Sequence, residues 1–157
     1  MLIGILSDSH DHLDRLKQAL AIFRERNCIH VIHAGDIVAP FAAKILAAAG
    51  FPLTVIYGNN DGERAGLAKI LPGIAEGPMG IELDGRKITI VHALEALPPG
   101  RRIADVIIHG HTHEPGIART GDTLLINPGE CGGWLLGKPT VAILDTATLA
   151  AEIIPLT

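Results

Sequence analysis

The residues of this sequence that could bind a metal ion lie at the ends of its apolar segments. Each such segment is followed by a carboxylate, an amide or an imidazole side chain, and the full set is Asp8, His10, Asp36, Asn59, His92, His111 and His113. Two carboxylates, four imidazoles and one amide oxygen, with no thiolate, suit borderline divalent ions such as Mn²⁺, Fe²⁺, Zn²⁺ or Co²⁺. Seven ligands are too many for one ion, so the pattern indicates more than one.

The elements that must position these residues alternate in the first half of the chain. The apolar runs 2–6, 29–33 and 53–57 predict strands. Helices are predicted after each run, beginning near Leu13, Pro40 and Glu63. A βαβαβα order implies a parallel sheet, and ligands of such sheets bind beyond the carboxyl ends of the strands. We therefore expect the candidate ligands to converge at one rim.

The second half of the chain has strand patterns without helices between them. Runs 81–83 and 87–91 flank Asp84-Gly85, and runs 116–119 and 123–126 flank Gly121-Asp122, which are hairpin-turn signals. Further strands are predicted at 106–109, 141–144 and 152–154. Mostly antiparallel strands are therefore expected here. The predicted fold is a two-sheet α/β sandwich of the αββα type, in a single domain over residues 1–157.

Composition excludes several classes of protein. Hydrophobic residues make up 48% of the chain and charged residues 19%, which is enough apolar surface for a large core and excludes a disordered segment. The net charge of −4 argues against a stable nucleic-acid complex, and the five dispersed aromatic residues predict no stacking platform for single-stranded bases. Cys28 and Cys131 are expected to be buried free thiols. With no apolar run of membrane-spanning length and an apolar start too short for a signal peptide, a cytoplasmic protein is expected.

The candidate ligands belong to five short motifs, which are, in chain order, Asp8-Ser9-His10, Gly35-Asp36, Gly58-Asn59-Asn60-Asp61, His92 and Gly110-His111-Thr112-His113. In these motifs the chain resembles the calcineurin-like metallophosphoesterases, specifically their small single-domain prokaryotic phosphodiesterases. The resemblance implies that Asp8, His10, Asp36 and His113 hold a first metal ion. It implies that Asp36, Asn59, His92 and His111 hold a second one, so that Asp36 bridges the two ions.

This resemblance implies a binuclear metal-dependent phosphoesterase, with phosphodiesters favoured over monoesters. The nucleophile would be a metal-bridging hydroxide rather than a side chain. Two divalent ions per chain are expected, with Mn²⁺ favoured and Ni²⁺, Co²⁺, Fe²⁺ or Zn²⁺ as alternatives. The expected partner is a small-molecule phosphate ester, with no membrane partner and a homodimer as an open alternative.

The sequence departs from the family pattern in three places. Asn60 stands where many larger relatives have a histidine, Ala93 and Leu94 follow His92 where Gly and His are usual, and Glu130 with Gly132-Gly133-Trp134 replaces a serine and a basic residue. These departures affect residues expected to contact the substrate and leave the seven candidate metal ligands in place. His12, Asn60 and Asp61 are candidate contacts to substrate or to the ligands themselves.

Plainer interpretations of the same residues remain open at this level. Asp8 and Asp11 could cap the first helix, and Asp36 the second. Gly58 and Gly110 could be turn glycines of positive φ, in addition to positioning the next ligand. An alternative function is a non-catalytic metal-binding scaffold of the same fold, used for protein assembly, which is also a known use of this sandwich. The complete ligand set favours the enzyme.

Overall fold

The computed structural model describes residues 1–157 as two five-stranded sheets packed face to face. The helices α1 to α3 are Leu13–Glu25, Pro40–Ala48 and Arg64–Ile70. The strands β1 to β10 are, in chain order, Leu2–Leu6, His30–His33, Leu53–Val55, Met79–Leu83, Arg86–Ile90, Val106–Ile108, Gly116–Thr120, Thr123–Asn127, Thr140–Asp145 and Ala150–Pro155. None of the helices has the length and apolarity needed to cross a membrane.

The first sheet has the strand order β10-β9-β1-β2-β3. Strands β1, β2 and β3 are parallel, as the alternation of strands and helices predicts, and β9 and β10 extend the sheet with antiparallel pairing. Helix α1 packs on this sheet through Leu16, Leu20 and Phe23, which recur at helical spacing. A Cβ at Gly4 would lie 2.5 Å from Cγ of Phe23, so the missing side chain lets the helix approach the strand.

The second sheet has the strand order β4-β5-β6-β8-β7. The two predicted hairpins are confirmed, because β4 pairs antiparallel with β5 and β7 with β8. The three central strands β5, β6 and β8 are parallel to one another, which the prediction of mostly antiparallel strands did not include. The connection between β5 and β6 makes no tight turn: it crosses the outer face of the sheet, where Leu97 packs with Ile107 and Leu125.

The two sheets enclose a common apolar core. Ile3 and Ile5 of β1 belong to the same buried cluster as Ile90 and Ile108 of the second sheet. The predicted two-sheet sandwich is therefore confirmed. The helix layer over the second sheet consists of two one-turn 3₁₀ helices, Leu94–Ala96 and Pro99–Arg101. The Pro98-Pro99-Gly100 run there disfavours a longer α-helix.

The carboxyl ends of the parallel strands of both sheets meet at one rim of the sandwich. The loops after β1, β2 and β3 come from the first sheet, and those after β5 and β6 come from the second. These five loops carry every residue of the five sequence motifs. The fold therefore brings together residues that lie far apart in the chain.

Candidate metal centre

Asp8, His10 and His113 form the first of two groups of candidate ligands at this rim. His113 Nε2 lies 3.4 Å from Asp8 Oδ1, and His10 Nε2 lies 3.8 Å from the same oxygen. Asp8 and His10 follow β1 of the first sheet, whereas His113 follows β6 of the second. These distances exceed those of good hydrogen bonds and are typical of ligand atoms that face a common centre.

The second group is Asn59, His92 and His111. Asn59 Oδ1 lies 2.9 Å from both His92 Nε2 and His111 Nδ1. Asp36 stands between the two groups, because its Oδ2 is 3.6 Å from His10 Nε2 and 3.5 Å from His92 Nε2. A carboxylate in this position can be shared by two ions. The structure thus brings together all seven residues that the sequence predicts as ligands.

Buried polar atoms without partners test whether these residues fit a metal ion. Asp8 Oδ1, His10 Nε2 and His113 Nδ1 are shielded from solvent and make no hydrogen bond. Buried polar atoms almost always have a hydrogen-bond partner. Because Asp8 Oδ1 and His10 Nε2 have none and face the other ligands, they indicate a site for a cation. The seven candidate ligands supply oxygen and nitrogen donors, which fit divalent ions.

The two cysteines are not among these ligands. Cys28 and Cys131 are buried free thiols, as predicted, and burial raises their pKa to about 11 and about 12.

The backbone of five of the seven candidate ligands lies in the left-handed region. The φ angles are +52° for Asp8, +40° for His10, +60° for Asp36, +70° for His111 and +63° for His113. Residues other than glycine rarely adopt this conformation, and its concentration at one place is typical of functional sites. Backbone hydrogen bonds between loops hold it, since Asp8 donates to Gly35 at 3.0 Å and His10 donates to Asp36 at 3.1 Å.

Gly58 and Gly110 are required by close packing rather than by turn geometry. Neither has a positive φ, so the interpretation of them as left-handed turn glycines is wrong. A Cβ at Gly58 would collide with the Asp36 carboxylate, and one at Gly110 would collide with the Ser7 hydroxyl and lie 2.5 Å from Asp8 Oδ2. Both glycines therefore leave room for the carboxylates of the site.

The interpretation of Asp8, Asp11 and Asp36 as helix caps is also wrong. His12 is the N-cap of α1 and Ala39 the N-cap of α2, and neither helix has a side-chain cap hydrogen bond. Asp8 is fully buried and Asp36 is 1% exposed, and both face the imidazoles. Their burial beside histidines, away from the helix ends, favours a ligand role.

Asn60 and Asp61 contact the ligands and their loops. Asn60 donates to both oxygens of Asp36, from its backbone N and from its Nδ2, each at 2.8 Å. The buried carboxylate of Asp61 accepts from three backbone N–H groups, those of Asp36, Val38 and Gly58, at 2.7 to 2.9 Å. Asn60 thus orients Asp36, and Asp61 joins the loop after β2 to the loop after β3.

A hydrogen bond orients one imidazole from the side away from the other ligands. His92 Nδ1 donates to the carbonyl of Ala34 at 2.8 Å, which directs Nε2 toward Asp36. Such a partner fixes the tautomer of a metal-binding histidine. His113 Nδ1 lies 3.3 Å from Glu130 Oε1 and makes no hydrogen bond, so Glu130 places a carboxylate beside this ring. The sequence analysis treated Glu130 only as a departure from the family. The signal for its place beside the site was its position directly after the Asn127-Pro128-Gly129 turn, at the end of a strand.

His12, a candidate contact in the sequence, lies beside the first group and does not join it. Its ring stacks on Trp134, with ring centroids 4.5 Å apart and an angle of 27°. Trp134 Nε1 donates to the carbonyl of His10 at 3.1 Å. The side chains of His12 and Trp134 therefore form a surface next to the candidate ligands.

Charges in the site stabilise one another. Burial alone would raise the pKa of Asp8 and Asp36, but interactions with His10 and Ser7 for the first, and with His92 and Asn60 for the second, hold both below their ordinary value. Asp8 raises the pKa of His10 despite burial, and Asp36 does the same for His92. Both carboxylates are thus ionised and available to bind cations.

The family model for the calcineurin-like phosphoesterase superfamily domain matches residues 1–149. The chain therefore belongs to the calcineurin-like phosphoesterase superfamily, and it is a hydrolase of phosphate esters. Phosphodiesterase MJ0936 of Methanocaldococcus jannaschii is 43% identical over 157 aligned residues, which cover 93% of each chain. The family assignment thus extends over nearly the whole chain.

Solved structures support the same assignment. A structure described as a novel archaeal phosphodiesterase has a TM-score of 0.88 and 40% identity, and the match covers 99% of this chain and 100% of that one. Vacuolar Protein Sorting 29 from Cryptosporidium parvum has a TM-score of 0.69 and 16% identity, over 99% of this chain and 97% of that one. At that identity the second likeness concerns the fold alone.

Proposed function

We propose that this protein is a binuclear metal-dependent phosphodiesterase in which hydroxide, rather than a side chain, attacks the phosphorus. The observation that carries the proposal is the position of Asp36, whose Oδ2 faces His10 on one side and His92 on the other. The similarity to archaeal phosphodiesterases favours diesters. Bound divalent ions would supply Lewis acidity toward the phosphate and activate the attacking water.

The ligand sets follow the two groups. Asp8, His10, Asp36 and His113 would hold one ion, and Asp36, Asn59, His92 and His111 the other, with Mn²⁺ as the favoured metal. A ligand atom of Asp8 also lies within 4.8 Å of ligand atoms of Asp36 and His92, so the two groups adjoin. Two dications with the two carboxylates have a formal charge of +2, which matches a phosphate ester. Asn60 is held by Asp36 and has no acidic proton, so esters with good leaving groups are favoured.

The direct test is hydrolysis by protein stripped of metal. We expect bis(p-nitrophenyl) phosphate to be hydrolysed only after Mn²⁺ is added, at about two ions per chain, and faster than p-nitrophenyl phosphate. Two bound ions without turnover of either ester would contradict the enzyme and favour a metal-binding scaffold. No metal binding at all would contradict the site itself.

A matched variant separates metal binding from folding in the same assay. His111 is exposed, so His111→Ala removes a ligand of the second ion at little cost to the fold. We expect kcat to fall about 10²-fold or more with unfolding unchanged. Unchanged turnover would contradict the assignment of His111.

Metal affinity is expected to rise with pH. The pKa values of His10 and His92 lie above the ordinary value, so both imidazoles keep a proton to higher pH in the metal-free protein. Since a metal ion binds only the neutral imidazole, protons compete with it, and binding weakens as pH falls through these raised pKa values. Calorimetry in two buffers of different ionisation enthalpy should show proton release on Mn²⁺ binding. An affinity that is constant from about pH 6 to about pH 8 would contradict this expectation.

A further inference from the structure

An exposed apolar surface lies beside the first group of ligands. Trp134 is 65% exposed, and Leu135 next to it is 70% exposed. With His10, His113 and Glu130 they line a cavity of about 300 Å³. Large exposed apolar side chains at the edge of a site indicate a binding surface, because water is a poor partner for them.

Trp134 is fixed in place although it is exposed. Its Nε1 donates to the carbonyl of His10, and one face of its ring stacks on His12. The following segment is tied down as well, since Glu130 accepts from the backbone N–H groups of Leu135 and Leu136 at 2.9 to 3.2 Å. A ring that is held before the ligand arrives loses little entropy on binding, which favours affinity.

A second cavity flanks the other group of ligands and is different in character. Its volume is about 250 Å³, and it is lined among others by Asn59, His92 and His111. Arg64 lies there over the Tyr57 ring at 4.4 Å and pairs with Glu76. At the second group the Tyr57 ring is thus covered by Arg64, whereas at the first group the Trp134 ring is 65% exposed.

We propose that Trp134, supported by His12, is a stacking platform that binds a planar aromatic substituent of the phosphodiester, such as an aryl group or a nucleobase. This inference rests on the proposed function and names the substrate class of the same site. A single indole accommodates one ring, so the proposal concerns one base or aryl group and not the platform for a single strand that the sequence analysis considered. One base or aryl ring on a small diester is the chemistry that fits.

The test uses two phosphate ligands that differ by a base. AMP and ribose 5-phosphate share the phosphate and the sugar, so the difference in their affinities for the Mn²⁺-loaded protein measures the platform. We expect AMP to inhibit diester hydrolysis about 10-fold to 100-fold more strongly than ribose 5-phosphate does. Trp134 is the only tryptophan, so AMP should also quench intrinsic fluorescence with the same dissociation constant.

Three variants make the test specific. Trp134→Ala should bring AMP to the affinity of ribose 5-phosphate, while Trp134→Phe keeps a ring and most of the preference. Ile29→Ala, which removes an exposed apolar side chain just before β2, should change neither affinity. Equal affinities of the two ligands in the wild type, or an unchanged preference in Trp134→Ala, would overturn the proposal. A concentration-dependent shift of Trp134 emission with dimer formation and no quenching by AMP would overturn it too, and would assign the surface to a second copy.

Failure of the platform and failure of the proposed function are distinguishable. Methyl p-nitrophenyl phosphate has a good leaving group and an alkyl second substituent. If the wild type hydrolyses it with Mn²⁺ and shows no preference for AMP, the platform alone is contradicted. If no diester is hydrolysed, quenching by AMP still decides whether Trp134 binds the base.

Discussion

Replacing Asp36 with asparagine is expected to lower kcat for diester hydrolysis by about 10³-fold. The carboxylate Oδ2 lies 3.6 Å from His10 Nε2 and 3.5 Å from His92 Nε2. Asparagine keeps the shape and tolerates the left-handed backbone at φ +60°, but it has no charge to share between two ions. The measurement is kcat together with the metal content per chain, which should fall below two.

The matched control for this variant is Asp14→Asn. The side chain of Asp14 is 90% exposed on α1 and pairs only with Lys17 at 3.7 Å, so the same chemical change there should leave kcat and metal content as they are. Full activity of Asp36→Asn with two ions bound would contradict a bridging role. A variant that unfolds at lower denaturant than the wild type would show instead that the loss is structural.

Replacing Asp61 with alanine is expected to destabilise the metal-free protein by about 3 kcal/mol or more. Asp61 is 2% exposed and is the acceptor for the backbone N–H groups of Asp36, Val38 and Gly58. The change leaves three donors without a protein partner, two of them buried and that of Val38 partly buried, at about 1 to 3 kcal/mol for each donor that water does not reach. Val38 has φ +86°, a strained conformation for a β-branched residue, and it loses one of its restraints. Urea unfolding measures the effect.

Asp105→Ala is the comparison for that measurement. The side chain of Asp105 accepts a single backbone N–H, that of the exposed Lys87 at 2.8 Å, at a half-buried position outside the metal centre. Its loss should cost about 1 kcal/mol or less. Equal losses in the two variants would mean that the three donors around Asp61 find other partners, and that Asp61 does not hold the two loops together.

The sequence predicted the elements well because their signals are local. Apolar runs ended by polar residues identified β1, β2 and β3, and the turn glycines at 85 and 121 identified both hairpins. The parallel pairing of β5, β6 and β8 could not be predicted in this way. It depends on where a connection of irregular residues packs, and that is decided by long-range contacts such as those of Leu97 with Ile107 and Leu125.

The candidate ligands could be predicted from the sequence, but the residues that surround them could not. A histidine after a strand is visible as a residue type. The carboxylate of Glu130 beside His113 is not, because Glu130 is seventeen positions further along the chain and approaches the ring only through the fold. The roles of Gly58 and Gly110 depend likewise on a carboxylate or hydroxyl from another strand. The space around each ligand and the direction of its hydrogen bonds depend on residues from several loops, so they could not be predicted before the fold was known.

The contribution of both sheets to the ligand set has a mechanical consequence. The apolar core holds the sandwich together along its middle, but at the rim Asp8 and Asp36 of one sheet meet His113 and His92 of the other across polar loops. An ion bound there would cross-link the amino-terminal and carboxyl-terminal parts of the chain, as a disulfide does in proteins that lack metals. The ions would offset the repulsion between the carboxylates of Asp8 and Asp36. They would also hold the two sheets together at the rim, where hydrophobic packing ends.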